Sequence, residues 1–394
     1  MSRHILPEPP FELKQLSDEL SARIHAEIQA AGMIPFSRFM EMALYEPGYG
    51  YYSAGLHKFG ESGDFITAPE IGPLFATCLA RQLAEVGQQL GSYDILEVGA
   101  GSGRLAADLL RDLDPAEAPG RYRILERSAD LRQVQHQHIA AEAPAWVDRI
   151  EWLDRPPADQ WQGLIIANEV IDALAVERFQ WAAGEIQQLC IAECEGKLEW
   201  TQRPAPNELS AAVQHVAADI GPGFLQGLNG GYRSEINLHL PAWLAALSGS
   251  LSKGLALFID YGYPRREYYL PERRDGTLMC HYRHRAHDDV FFWPGLQDIT
   301  AWVDFTALAE AADQCSLEVE GYSSQAMFLL ACGLDRVLQE KMADSPDGGV
   351  DLQDEVRQLT LPGMMGEKFQ VMGLGRGLDQ PLRGFSLQDL RYRL

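Results

Sequence analysis

The sequence predicts an α/β fold: a mostly parallel, doubly wound sheet with an N-terminal cap and inserted elements. Three observations lead there. Short apolar runs alternate with helical periodicity between residues 94 and 168, one of those runs passes through closely spaced glycines into a helix, and a further buried run recurs at residues 254–260. Nearly continuous apolar runs, rather than alternating ones, are what parallel strands covered on both faces require.

After a proline-rich start, residues 13–31 read as an amphipathic helix, because Leu16, Leu20, Ile24 and Ile28 recur four apart in one stripe. Residues 32–72 lose that period and become aromatic and glycine-rich, the text of an ordered loop. Helical spacing returns over 74–90. Residues 94–98 then form a strand stopped by Gly99, with a helix over 105–113, a strand over 122–126, a helix over 129–143, and strands at 150–153 and 163–168. Beyond them, 179–201 alternates like antiparallel strands, 240–251 looks helical, and 317–322 and 368–374 read as further strands. A length of 394 residues exceeds what one simple core usually fills. The expected division is a helical and loop cap over 1–90 and a sheet-bearing core over 91–394, with insertions at roughly 180–240 and 262–310.

Lys and Arg number 33 against 56 Asp and Glu, a formal charge of -23 that disfavours a phosphate backbone as partner. Six dispersed cysteines contain no C-x-x-C pair, which argues against a zinc ribbon or a dithiol redox site and for reduced thiols. Pro7, Glu8, Pro9 and Pro10 stand where a secretory leader needs apolar residues, and no apolar run is long enough to cross a bilayer. The expectation is a cytoplasmic protein without membrane insertion.

The most informative stretch is Ile95-Leu96-Glu97-Val98-Gly99-Ala100-Gly101-Ser102-Gly103-Arg104, in which the glycines let the backbone turn tightly and approach a nucleotide. A dinucleotide fingerprint needs G-x-G-x-x-G. Here Arg104 occupies the last place and glycine comes one residue early, so NAD is disfavoured. Glu97 before the turn suits a ligand carrying positive charge, such as the sulfonium and ammonium of S-adenosylmethionine. Glu126, ending the next strand, is placed to accept hydrogen bonds from both ribose hydroxyls. Two readings stand at the end of the third strand: Leu153 and Asp154 face adenine, or Asp154 is an ordinary strand-end acid.

These residues belong to a longer ordered series: Pro35-Phe36-Ser37-Arg38-Phe39-Met40, Tyr45-Glu46-Pro47-Gly48-Tyr49-Gly50-Tyr51-Tyr52, Gly63-Asp64-Phe65-Ile66-Thr67-Ala68-Pro69-Glu70, then the glycine turn. Asn168-Glu169-Val170-Ile171-Asp172, Phe258-Ile259-Asp260-Tyr261-Gly262, Asp298-Ile299-Thr300-Ala301-Trp302 and Met365-Gly366-Glu367-Lys368-Phe369 follow in order. The series resembles the MidA-type methyltransferases, which include a mitochondrial complex I assembly factor that methylates an arginine of a respiratory-chain subunit. The resemblance implies a Rossmann-like class I methyltransferase fold, S-adenosylmethionine as cofactor, and a protein arginine as acceptor.

A guanidinium acceptor is cationic and must be held, oriented and relieved of a proton, which calls for carboxylates. Glu169 and Asp172 follow the fourth strand, where ligands of open α/β sheets lie, and Asn168 can supply an amide to either ligand. The competing reading makes Glu169 a helix cap and Asp172 a loop-binding residue. Asp64, Phe65, Thr67 and Glu70 are candidates to close over the cofactor, with Asp64 also a candidate at the reacting centre; a packed aromatic loop is the alternative. Asp260 and Tyr261 end another strand and are consistent with a simple turn there.

His281, His284 and His287 at steps of three invite a metal site, but the interleaved Arg283 and Arg285 disfavour a cation, and no metal is expected. Methylation of a small molecule and a non-catalytic assembly role are the competing functions, since a fold does not specify an acceptor.

Overall fold

The computed structural model describes residues 6–54, 67–113, 119–221, 224, 231–343 and 349–394. Two compact units organise the chain: residues 1–65, 172–240 and 265–302 make one, and residues 66–171, 241–264 and 303–394 the other. Among the described residues no helix is long and apolar enough to cross a membrane.

In the first unit, α1 (Phe11–Ala31) buries Ser17, Leu20, Ile24 and Ile28, so the apolar stripe faces a core that also holds Phe36, Phe39, Tyr51 and Ile191. Gly32 ends α1 with φ +80 and donates its N–H to the Ile28 carbonyl at 2.7 Å. Strand β1 (Ile34–Pro35) precedes α2 (Phe36–Tyr45). Strands β6 (Glu177–Ala182), β7 (Glu185–Cys194) and β8 (Lys197–Pro204) form the antiparallel array that the alternation over 179–201 predicts, and β9 (Tyr232–Ile236) pairs with β6. Ala183-Gly184 and Glu195-Gly196, all at positive φ, close the two hairpins as two-residue turns matched to strand twist. A small sheet of β11 (Met279–Tyr282), β12 (Arg285–His287) and β13 (Asp298–Thr300) completes the unit's strands.

The second unit carries an eight-stranded sheet. Its strands are β2 (Asp94–Val98), β3 (Tyr122–Leu125), β4 (Ile150–Leu153), β5 (Trp161–Asn168), β10 (Leu251–Tyr263), β14 (Val303–Asp304), β15 (Glu318–Ser324) and β16 (Phe369–Arg376). The order is β15-β16-β10-β5-β2-β3-β4, with β14 beside β10. Strands β10, β5, β2, β3 and β4 run parallel, whereas β16 runs antiparallel between β10 and β15, so that β15 points the same way as the parallel strands. The sheet is therefore mixed at one end and doubly wound in its centre. From β2 the chain moves outward through β3 and β4, then returns to the other side of β2 as β5, so a topological switch point lies between β2 and β5.

Helix α3 (Ala68–Ile71) and α4 (Leu74–Leu90) precede β2, α5 (Arg104–Asp112) follows it, and α6 (Ala129–Glu142) joins β3 to β4. Although the sequence groups 74–90 with the cap, α4 buries Leu79, Leu83 and Val86 in the same core as Ile95, Leu164 and Leu257 of the sheet. Other boundaries move modestly. The helix expected over 240–251 ends at Ser248, because Leu251 already pairs with Trp161 at the start of a longer β10. Strand β3 ends at Leu125, so Glu126 stands just past it.

Candidate functional site

At the switch point the chain leaves β2 through Gly99, Gly101 and Gly103, with φ of +65, +54 and +84. Three left-handed positions within five residues explain the glycine spacing, since other residue types rarely adopt them. Gly103 also meets a spatial limit: a Cβ there would stand 3.0 Å from the Gln135 Cα on α6. Its absence of a side chain therefore serves helix packing as well as backbone conformation. Ser102 in the same turn hydrogen-bonds through its hydroxyl to Glu70 of α3, and Arg104 N donates to the Ser102 hydroxyl at 3.2 Å.

Glu97 is buried at the end of β2, and the Tyr122 hydroxyl of β3 donates to its carboxylate at 2.7 Å. Burial pushes the Glu97 carboxyl up to about 7, against the smaller opposing effect of that hydrogen bond. A cation alongside would restore its charge. The Glu126 carboxylate accepts from Ser128 N at 2.8 Å on one oxygen and from the Gln135 amide at 3.3 Å on the other. Asp154 is exposed and pairs with Arg132 at 2.6 Å, while the same guanidinium donates to the Glu126 carbonyl at 2.7 Å. Arg132 thus ties the ends of β3 and β4 together.

On the other side of β2, Asn168 and Glu169 leave β5 beside the glycine turn; a Cβ on Gly99 would lie 3.5 Å from Val170. No helix begins at Glu169, so the capping alternative gives way to a different arrangement. Its carboxylate accepts from Ala68 N at 3.4 Å and from the Asn168 amide at 3.2 Å. Glu169 itself sits at φ +53, a strained state for a non-glycine residue and one concentrated at functional sites. The strain is held by Asp260 at 1% exposure, which accepts from Val170 N at 3.2 Å, Ile171 N at 3.0 Å and Tyr261 N at 2.9 Å. Asp260 is thus more than a strand-end turn residue: it anchors the turn that presents Glu169. Among the described residues, Asn168 Oδ1 is buried without a hydrogen-bond partner.

Thr67 immediately precedes α3, whereas Asp64 and Phe65 lie outside the described residues. Asp172 belongs to the first unit, where it is buried and its carbonyl accepts from Ala301 N at 3.0 Å. Tyr52 of that unit donates its hydroxyl to Asp298 at 3.0 Å and stacks on Tyr45 at 5.5 Å. Burial, then the charge of Asp298 and more distantly of Asp172, holds the Tyr52 phenol well above its ordinary range.

The three spaced histidines do not converge. His281 pairs with Ala286 across the β11–β12 hairpin and His287 with Cys280, which puts the two on opposite faces, while Arg283 and His284, at φ +47 and +59, form the turn itself. Among the described residues no group of three or more His, Cys, Asp or Glu could hold a metal ion.

The arrangement fits S-adenosylmethionine on structural grounds: a glycine turn at a switch point, a buried carboxyl that a cation would ionise, a pre-oriented carboxylate one strand away, and an orphaned buried amide oxygen at the end of β5.

Comparison with known proteins agrees with this chemistry. Residues 78–323 match the model of a family described as "Putative S-adenosyl-L-methionine-dependent methyltransferase". A solved structure from Burkholderia thailandensis, bound to S-adenosyl-homocysteine, is 39% identical with a TM-score of 0.92, covering 99% of this chain and 100% of that one. The Drosophila melanogaster protein named protein arginine methyltransferase NDUFAF7 homolog, mitochondrial, is 27% identical across 96% of this chain and 93% of its own length. The Homo sapiens protein arginine methyltransferase NDUFAF7, mitochondrial, is 26% identical across 88% and 81%.

Proposed function

The chain belongs to this family of S-adenosyl-L-methionine-dependent methyltransferases, and we propose that it methylates an arginine nitrogen of a protein substrate. The observation that carries the acceptor class is the strained Glu169 carboxylate at the switch point, in a chain whose curated relatives, matched over most of their length, are named protein arginine methyltransferases. When bound, S-adenosylmethionine supplies an electrophilic methyl group. The chain's own residues do the rest: the 99–103 turn gives the nucleotide close backbone approach, Glu97 answers positive charge, and Glu126 receives the ribose hydroxyls. Glu70, which meets the Ser102 hydroxyl of the turn, is proposed for the methionine side of the cofactor together with Thr67, and Asp64 and Phe65 remain candidates for that role.

Glu169 is the proposed holder of the guanidinium, through a charge-assisted hydrogen bond that fixes the attacking nitrogen and favours its loss of a proton. Asn168 Oδ1 can accept from the same group. Asp172 is the next candidate for that role. A respiratory-chain subunit is the first class of protein to test as acceptor, and the cytoplasm is the proposed compartment.

Incubating the protein with methyl-labelled S-adenosylmethionine and a cell lysate, followed by peptide mass spectrometry, tests the reading. Methylarginine in a protein is expected. Label confined to small molecules would replace the acceptor class, and cofactor binding without any transfer would point to a non-catalytic assembly role.

A further inference from the structure

Helix α6 buries Leu131, Gln135 and Ile139, one residue per turn along a single stripe, and the middle one is polar. An amide at such a position, 0% exposed, carries a desolvation cost unless every polar atom finds a partner. Gln135 does. Its Nε2 donates to the Gly101 carbonyl at 3.1 Å and to Glu126 Oε2 at 3.3 Å, and its Oε1 accepts from the Trp152 indole at 2.9 Å.

The orientation of this amide is determined by chemistry. An indole N–H can only donate, so the atom facing Trp152 must be the oxygen, and the NH2 group is left facing a carbonyl and a carboxylate, both acceptors. One side chain therefore joins the glycine turn after β2, the acid after β3 and the aromatic ring of β4. Ser128 N holds the other oxygen of Glu126 at 2.8 Å. A carboxylate oxygen accepts along more than one direction, so a donor that fixes it along one also fixes the others.

We infer that Gln135 is a positioning residue for ribose recognition: it orients Glu126 relative to the glycine turn so that the carboxylate receives the sugar hydroxyls of the cofactor, with Trp152 locking the amide in its working orientation. The inference rests on the reading of Glu126 as the ribose-binding acid. It makes Gln135 a determinant of hydroxyl discrimination rather than a general contributor to the core, and it accounts for a polar residue in the middle of an apolar stripe.

The test is calorimetric binding of S-adenosylhomocysteine and its 2′-deoxy analogue to the full chain, in wild type and in Gln135→Met, Trp152→Phe and Glu126→Gln. Wild type should prefer the ribose ligand. In Gln135→Met that preference collapses: S-adenosylhomocysteine weakens by roughly tenfold or more, while the deoxy analogue changes by less than about twofold. Trp152→Phe keeps the amide and frees it to rotate, so its preference falls between the two. A folded Gln135→Met protein with an unchanged preference, or with both ligands weakened alike, overturns the inference. Should Gln135→Met fail to fold, an unchanged preference in Trp152→Phe does the same. Glu126→Gln separates the two layers. A collapsed preference there, with Gln135→Met intact, removes Gln135 alone; an unchanged preference in Glu126→Gln removes the ribose reading and the inference with it.

Discussion

The two sides of β2 in the second unit are built in opposite ways. On the β3 side, the glycine turn and Glu126 are fixed by their own neighbours, with Gln135 donating to the Gly101 carbonyl and the Glu126 carboxylate, Ser128 N to that carboxylate and Arg132 to the Glu126 carbonyl. On the β5 side, the turn is held from below by Asp260, yet it presents a left-handed Glu169 and leaves Asn168 Oδ1 buried without a partner among the described residues. The first side is preorganised for one constant ligand. The second stores strain and unspent hydrogen-bonding capacity where an incoming group can use them. Cofactor binding and acceptor chemistry should therefore respond to different substitutions.

The sharpest way to break that comparison is Gly101→Val. A branched side chain at φ +54 is strained and blocks the backbone approach that a nucleotide needs, so S-adenosylhomocysteine affinity should fall by at least about 100-fold while the fold persists. Calorimetry on a folded preparation measures it. Unchanged affinity would remove the turn from the cofactor site.

A smaller effect sharpens the comparison through pH. The Glu97 carboxyl, raised to about 7 from an ordinary 4.5, binds a proton in the folded state that it releases in the unfolded one. Its stabilising contribution is fully present below about pH 4.5 and is lost as pH rises through about 7, on the order of 3 kcal/mol for a group buried so completely. Glu355, which accepts from Leu74 N at 2.7 Å at the start of α4, is pushed up to about 7 by burial and adds to the same slope. Glu97→Gln should therefore reduce, without abolishing, the loss of stability of the free protein between pH 5 and 7. Because a cationic ligand favours the ionised carboxyl, wild-type affinity for S-adenosylmethionine should rise across that interval, and Glu97→Gln should flatten the rise. Denaturant melts and calorimetry across pH follow both; a variant with the wild-type slope in each would take Glu97 out of the site.

What could be read from the sequence follows the same division. The strand, glycine turn and helix over 94–112 are local signals, and Glu97 and Glu126 are candidates from their position relative to strand ends alone. Gln135 is not, because its contacts exist only where residues 101, 126 and 152 meet; its one trace in the sequence is a polar residue interrupting the stripe of Leu131 and Ile139. The left-handed conformation of Glu169 also left no signature, since a glutamate gives no hint of positive φ and its cause, Asp260, lies ninety-one residues away. The step-of-three spacing of His281, His284 and His287, against which Arg283 and Arg285 already speak, comes from a hairpin whose turn through Arg283 and His284 sets His281 and His287 on opposite faces.

The central claim, that one side of β2 binds the cofactor while the other handles the acceptor, is tested most directly by Glu169→Gln. Melting temperature, S-adenosylmethionine affinity and methyl transfer to the protein substrate should be measured on one preparation. Replacing the carboxylate by an amide of the same size weakens a charge-assisted hydrogen bond worth about 1.5–3 kcal/mol, so transfer should slow by roughly tenfold or more. Affinity should stay within about twofold, because Glu126 and the glycine turn are untouched. Wild-type transfer by a folded Glu169→Gln protein, or a loss of cofactor affinity in step with the rate, would contradict the account.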